Sequence, residues 1–302
     1  MSVTRLGHVG LVVTDLDEYS AYLTEGLGLT ETRRDAGRAY FALGTRHHQL
    51  RITEGDAAVC DGLGFDVSDA ESLARFRTAV EEAGLEVVSE RPYDDTVAEG
   101  FSFNVPAGPT VELCVGTQTR PAGDAYANDV YNARGDHLRL LKLGHVTIGT
   151  PDAEAVERVF VDVLGFRISD RFPGVLAWAR CNRDHHSVGF APAEAPGIHH
   201  LAFEIESFAH YERLVDHLSL GGRRLVWGPG RHGPGNNLFV YFDDPGGTMV
   251  EVYANLIQIE NEDSYVPQEW DDLQEVGNRW GPLPDEAWFK KLTPFVVPAG
   301  VE

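Results

Sequence analysis

A chain that carries the same segment twice must fold as two copies of one unit, so the internal repeat limits this architecture before any composition does. "GHVGLVVTDLDEYSAYLTEGLGL" (7–29) and "GHVTIGTPDAEAVERVFVDVLGF" (144–166) both open on Gly-His and place an aspartate eight residues on (Asp15, Asp152). Both close on Leu-Gly plus an apolar residue, at a constant offset of 137. Further along, "DGLGFDVSD" (61–69) parallels "HHLAFEIES" (199–207), and "GPTVELCV" (108–115) parallels "GGTMVEVY" (246–253). The sequence divides accordingly into an N-terminal domain, 1–120, a C-terminal domain, 138–260, and a tail, 261–302. The linker "GTQTRPAGDAYANDVYNARGDHL" (116–138) separates the copies. A length of 302 residues suits two domains of about 150.

Within each copy the hydrophobic periodicity reads as a strand, an amphipathic helix and three strands. In the second copy "GHVTIGTP" alternates, and "DAEAVERVFVDVLG" puts Val156, Phe160, Val163 and Leu164 at helical spacing, with Asp152 as cap and Gly165 as stop. "GVLAWARCN", "HHSVGFAP" and "GIHHLAFEIES" then read as strands. The helix "FAHYERLVDHLSLGG" and the hairpin "GRHGPGNNLFVYFDDPGGTMVEVYA" complete a second unit. The expected fold is α+β: duplicated βαβββ modules, two per domain, forming two curved-sheet barrels, with the active site in the C-terminal barrel.

Side chains alternate between the faces of a strand. In "IHHLAFEI" His199, Leu201, Phe203 and Ile205 share one face, and His200, Ala202 and Glu204 share the other. Val146 and Ile148 oppose His145 and Thr147; Val250 and Val252 oppose Met249, Glu251 and Tyr253; Leu238, Val240 and Phe242 oppose Phe239 and Tyr241. With the apolar faces turned to the helices, His145, His200, Glu251 and Tyr241 are free to converge on the concave side of one sheet. A glutamate buried in an apolar strand is costly unless it is paired or holds a metal. Two histidines and one carboxylate are the donor set that holds a ferrous ion and leaves coordination positions open. The N-terminal copy keeps His8 and Glu112, but Gly62 stands in the place of His200, so that copy reads as scaffold.

Composition excludes several classes. The net charge of −22 disfavours nucleic acid and anionic membrane surfaces. No apolar run of 18 residues is present to span a membrane, and the first residues lack a secretory pattern. Three cysteines without CxxC spacing suit neither a disulfide framework nor a zinc knuckle. A cytoplasmic location is expected.

The residues quoted, above all "GRHGPGNNLFVYFDDPGGTMVEVY" and "CNRDHHSVGFAP…GIHHLAFE", resemble the two-domain type I extradiol catechol dioxygenases of the vicinal oxygen chelate superfamily, over nearly the whole chain. The resemblance implies a metal site of His145, His200 and Glu251 that holds Fe(II), or Mn(II) as in some relatives. It makes His186, 14 residues before His200, the acid–base histidine, and gives His232 and Tyr241 the hydrogen bonds to substrate oxygens and intermediates. It implies ring opening of a catechol beside its two hydroxyls by O₂, with both oxygen atoms incorporated. Trp178 is expected to line the pocket. Trp227 stands where relatives acting on carboxylate-bearing catechols place an arginine, and Gly277 stands near a second such position. An indole in place of a cation suits a neutral catechol, alkyl- or aryl-substituted. Arg223, Arg224 and Arg279 keep an acidic substrate open. The tail resembles the family's active-site lid, and relatives imply a homo-oligomer. Two other readings stand beside this one: a related metal-dependent isomerase or lyase of the superfamily, and a non-catalytic binding or resistance protein.

Overall fold

The computed structural model describes residues 2–120 and 140–296; most of the linker at 116–138, and positions 297–302 of the tail, lie outside the described residues. Eight strands form the first sheet: β1 (Val3–Val13), β2 (Thr30–Asp35), β3 (Arg38–Ala42), β4 (Leu50–Glu54), β5 (Val59–Val67), β6 (Val87–Ser89), β7 (Val97–Asn104) and β8 (Thr110–Thr117). Their order is β2-β3-β4-β1-β5-β8-β7-β6. The second sheet repeats the plan with β9 (Leu140–Thr150), β10 (Arg167–Phe172), β11 (Leu176–Arg180), β12 (Val188–Pro192), β13 (Gly197–Ile205), β14 (Leu225–Arg231), β15 (Leu238–Asp243) and β16 (Met249–Ala254). The tail adds β17 (Gln268–Glu269) beside β10 and β18 (Thr293–Pro294) beside β13.

Each sheet joins two βαβββ modules through an antiparallel pair, β1 with β5 and β9 with β13. The helices are α1 (Leu16–Ala21) and α2 (Ala70–Glu82) in the first half, α3 (Ala153–Arg158) and α4 (Ala209–Leu220) in the second. The duplication reaches fine detail. Asp15 and Asp152 cap α1 and α3 by accepting from the amides of Glu18 and Ala155. Each of these helices widens into a π-turn (Tyr22–Gly26, Val159–Val163), and each segment stops at a left-handed glycine, Gly28 at φ 73° and Gly165 at φ 74°.

Two expectations need correction. The first strand after the helix in the module that begins at β9 is β10, whereas "GIHHLAFEI" is β13 and opens the next module. The pattern of β10, "RISDRF", hides it, because its charges are satisfied by other segments: Arg171 by Glu157, and Asp170 by tail residues. Alternation also fails at His199. A bulge between Ile198 and His200 in the β13–β9 pairing inserts one extra residue, so His199 turns away from the Leu201 face and lines the same cavity as His200.

One contiguous core joins both sheets, with Phe65 of β5 edge-on to Phe160 and Phe166 at 5.8 and 5.5 Å. Among the described residues no helix is long and apolar enough to cross a membrane.

Candidate metal centre

Side chains from β9, β11, β13, β15 and β16 line one cavity. In a flat sheet β11 and β15, five strands apart, would stand about 24 Å from each other, so the sheet is rolled around this space. Across its floor His145 of β9, Ala202 of β13 and Glu251 of β16 lie in register. The small Ala202 lets its two neighbours lean together over it, and His200 projects from the same strand two residues earlier. His145 Nε2 stands 2.9 Å and His200 Nε2 3.3 Å from Glu251 Oε2.

All three side chains are buried, and their donor atoms lie within 4.8 Å of one another. Donors bound side by side to a first-row metal at ~2.1 Å are about 3 Å apart. The spacing, the buried carboxylate and the two imidazole nitrogens turned to one point therefore suit a divalent ion. Burial alone would push Glu251 up, but His145 and His200 beside it hold it well below the usual carboxylate range. Its other oxygen, Oε1, accepts from Asn237 Nδ2 at 2.9 Å.

The remaining expected residues border the same cavity. His186, from the loop before β12, lies with its ring 4.3 Å from that of His145, and burial followed by the neighbouring histidines pushes it well below the usual imidazole value. His232 donates Nδ1–H to the carbonyl of Gly277 at 2.6 Å, which leaves Nε2 as an acceptor 3.1 Å from the Tyr241 hydroxyl. Burial lowers His232 to about 4, so the neutral ring is the resting form. Burial and then Glu251 raise Tyr241 well above the usual phenol value.

Trp178 and Trp227 form part of the wall, the Trp227 indole donating to the carbonyl of Pro282. The tail supplies the opposite side through α5 (Leu273–Gly277) and α6 (Glu286–Lys290), with Val276, Trp288 and Phe289 facing the cavity. No lysine or arginine lines it among the described residues. Arg279 is held by Glu275, Arg223 packs over Tyr22, and Arg224 is exposed. Sequence reasoning did not single out Asn237 or Trp288 and gave His199 no role; the second asparagine of "GPGNN" was the one visible signal, since Trp288 arrives from the tail.

The N-terminal half shows what the same frame becomes without the second histidine. His8 Nε2 remains 3.0 Å from Glu112 Oε2, and Cys114 brings a third donor near, but burial keeps its thiol well above the usual range and thus protonated. Gly64 holds the place of Ala202; a Cβ there would lie 2.0 Å from the His8 ring. Arg51, 2% exposed, stands where the second half has Gly189, paired with Asp61 at 3.0 Å and lying 3.4 Å from the Tyr93 ring centre. A fixed guanidinium thus supplies positive charge beside Glu112.

Residues 142–252 match the Glyoxalase/Bleomycin resistance protein/Dioxygenase superfamily. The match covers the second half of the chain, where His145, His200 and Glu251 lie. Over its length it is similar to the iron-dependent extradiol dioxygenase of Rhodococcus jostii, 29% identical over 290 residues that cover 89% of this chain and 94% of the relative. Among solved structures it resembles the Mn(II)-bound glyoxalase of Novosphingobium aromaticivorans, 26% identical with a TM-score of 0.85, covering 96% of this chain and 94% of that one. The homoprotocatechuate 2,3-dioxygenase of Arthrobacter globiformis shares the fold, with a TM-score of 0.88 at 22% identity over 98% of this chain and 93% of that one. The superfamily match and the geometry coincide in the segment 142–252.

Proposed function

We propose that this protein is an extradiol dioxygenase that opens a neutral, alkyl- or aryl-substituted catechol beside its two hydroxyls, with His145, His200 and Glu251 holding a ferrous ion, or manganese in its place. The observation that carries the reading is the single cavity in which that donor set faces His186, His232 and Tyr241. A bound divalent ion supplies Lewis-acid charge that makes a catechol hydroxyl acidic, and a route for electrons from ring to O₂.

The chain's own groups handle position and protons. The neutral His232 can accept a hydroxyl proton at Nε2, because Gly277 fixes its other proton at Nδ1. Tyr241 offers an O–H at the same edge. His186, across the site beside His145, is placed to take a proton from the substrate and return it to oxygen as charge develops there. Trp178, Trp227, Trp288 and Phe289 enclose the ring and its substituent in apolar surface, and the absence of a lining cation among the described residues disfavours a carboxylate side chain. Segment 261–296 acts as the lid that excludes water.

The test is anaerobic reconstitution with Fe(II), followed by air and each of catechol, 3-methylcatechol, 2,3-dihydroxybiphenyl and homoprotocatechuate. A yellow ring-cleaved product with matching O₂ uptake is expected for the neutral three, and weak turnover for the anionic fourth. No uptake with any of them defeats the reading. The likeness to the Mn(II)-bound glyoxalase favours one alternative, a metal-dependent isomerase or lyase, which would consume no O₂.

A further inference from the structure

We infer that His199 is a positioning residue: it fixes the proton of His200 on the nitrogen that faces away from the metal site and ties that ligand to the tail. This inference rests on the metal-site reading of His145, His200 and Glu251.

Hydrogen counting carries it. His199 Nε2 lies 3.2 Å from the backbone carbonyl of Trp288 in α6. A carbonyl only accepts, so the proton of the neutral His199 ring sits on Nε2 and its Nδ1 is a lone pair. That lone pair lies 2.8 Å from His200 Nδ1, which must therefore be the N–H of the pair. His200 Nε2 is then left unprotonated, 3.3 Å from Glu251 Oε2, which is the form of imidazole that ligates a cation. The bulge at Ile198–His200 makes the contact available, because without the extra residue the two rings would lie on opposite faces of β13. The His199 ring is also clamped edge-on against the Trp288 indole, with centres 4.5 Å apart.

Two comparisons within the molecule point the same way. His185 and His186 repeat the device, with Nδ1 facing Nδ1 at 3.1 Å. His185 Nε2 lies 3.2 Å from Asp170, whose carboxylate accepts from the tail's Gln268 amide and Trp270 indole. Each histidine pair thus connects one cavity imidazole to the tail. In the N-terminal half, where Gly62 replaces the ligand, the preceding residue is Asp61, turned to Arg51. The copy without the second imidazole ligand is also without its support.

The bonds at the two nitrogens can be separated by substitution in the full chain. His199→Asn keeps an acceptor near the Nδ1 position, His199→Gln keeps a donor near Nε2, and His199→Phe keeps neither. Mn(II) dissociation constants, measured by chelator competition, should rise about 10–100-fold in the Gln and Phe variants and stay within about threefold of wild type in Asn. Amide exchange over residues 286–290 should accelerate in Asn and Phe but not in Gln. Wild-type Mn(II) affinity in His199→Phe, or an Asn variant as weak as Phe, overturns the inference. His200→Ala separates the two levels. If it binds Mn(II) as tightly as wild type, the metal site itself is misassigned; if it loses the ion while His199→Phe keeps it, only the positioning role falls.

Discussion

Asn237 donates to the oxygen of Glu251 that faces away from the two imidazoles, and it does so from a fully buried position. The bond leaves Oε2 as the oxygen turned to His145 and His200. Asn237→Leu keeps the approximate volume and removes the donor, so Glu251 is free to rotate or to pair wholly with an imidazole. Metal affinity should fall about 10–100-fold, measured by chelator titration, while the fold is retained. The opposite half gives a contrasting expectation. Arg51 is the buried cation near Asp61 and Glu112, and Arg51→Met leaves both carboxylates without it. Removing one partner of a buried ion pair costs about 3–5 kcal/mol. Thermal unfolding should show a clear loss of stability, with metal stoichiometry per chain unchanged.

At the scale of elements, the short helix α5 gives the cavity its outer wall and also offers the Gly277 carbonyl that orients His232. Asp272 caps it by accepting from the amides of Gln274 and Glu275. Asp272→Ala should cost about 1 kcal/mol of local helix stability, or roughly a fivefold increase in opening. Hydrogen exchange at residues 274–278 is the check, with protection of β9, β13 and β16 as the internal standard. Elements also differ in how far the sequence announces them. Strands with one apolar face state their orientation outright, and for that reason His200, Glu251 and Tyr241 were assignable from alternation. The bulge at His199 was hidden, because it arises from how β13 meets β9 and leaves no period in β13 alone. Likewise β10 is a strand whose partners, Glu157 and the tail, lie at a distance in sequence. Trp288 and Phe289 reach the cavity through tertiary packing of the tail, which no local pattern encodes.

At the scale of the molecule, the two halves are joined by more than apolar packing. Tyr19 of α1 donates its hydroxyl to the buried carboxylate of Asp244, 225 residues away, in the turn between β15 and β16. The same turn gives Asp244 the amide of Thr248. Burial outweighs these bonds and pushes Asp244 up to about 6 from an ordinary 3.8. The folded state therefore holds a proton there that the unfolded chain has released, and across that interval folding takes up a proton. This group's contribution is most favourable below about pH 4 and is lost as pH rises through 6. The two values lie roughly two pH units apart, worth on the order of 3 kcal/mol at pH 8 relative to pH 4. Asp244→Asn keeps an acceptor for the Thr248 amide and has no charge to bury. The variant should unfold at a higher temperature than wild type at pH 8, and the difference should shrink steadily to pH 5. An advantage that stays constant across that range would mean that the carboxylate is ionised at no cost in the folded protein, and that the contact between the halves is indifferent to pH.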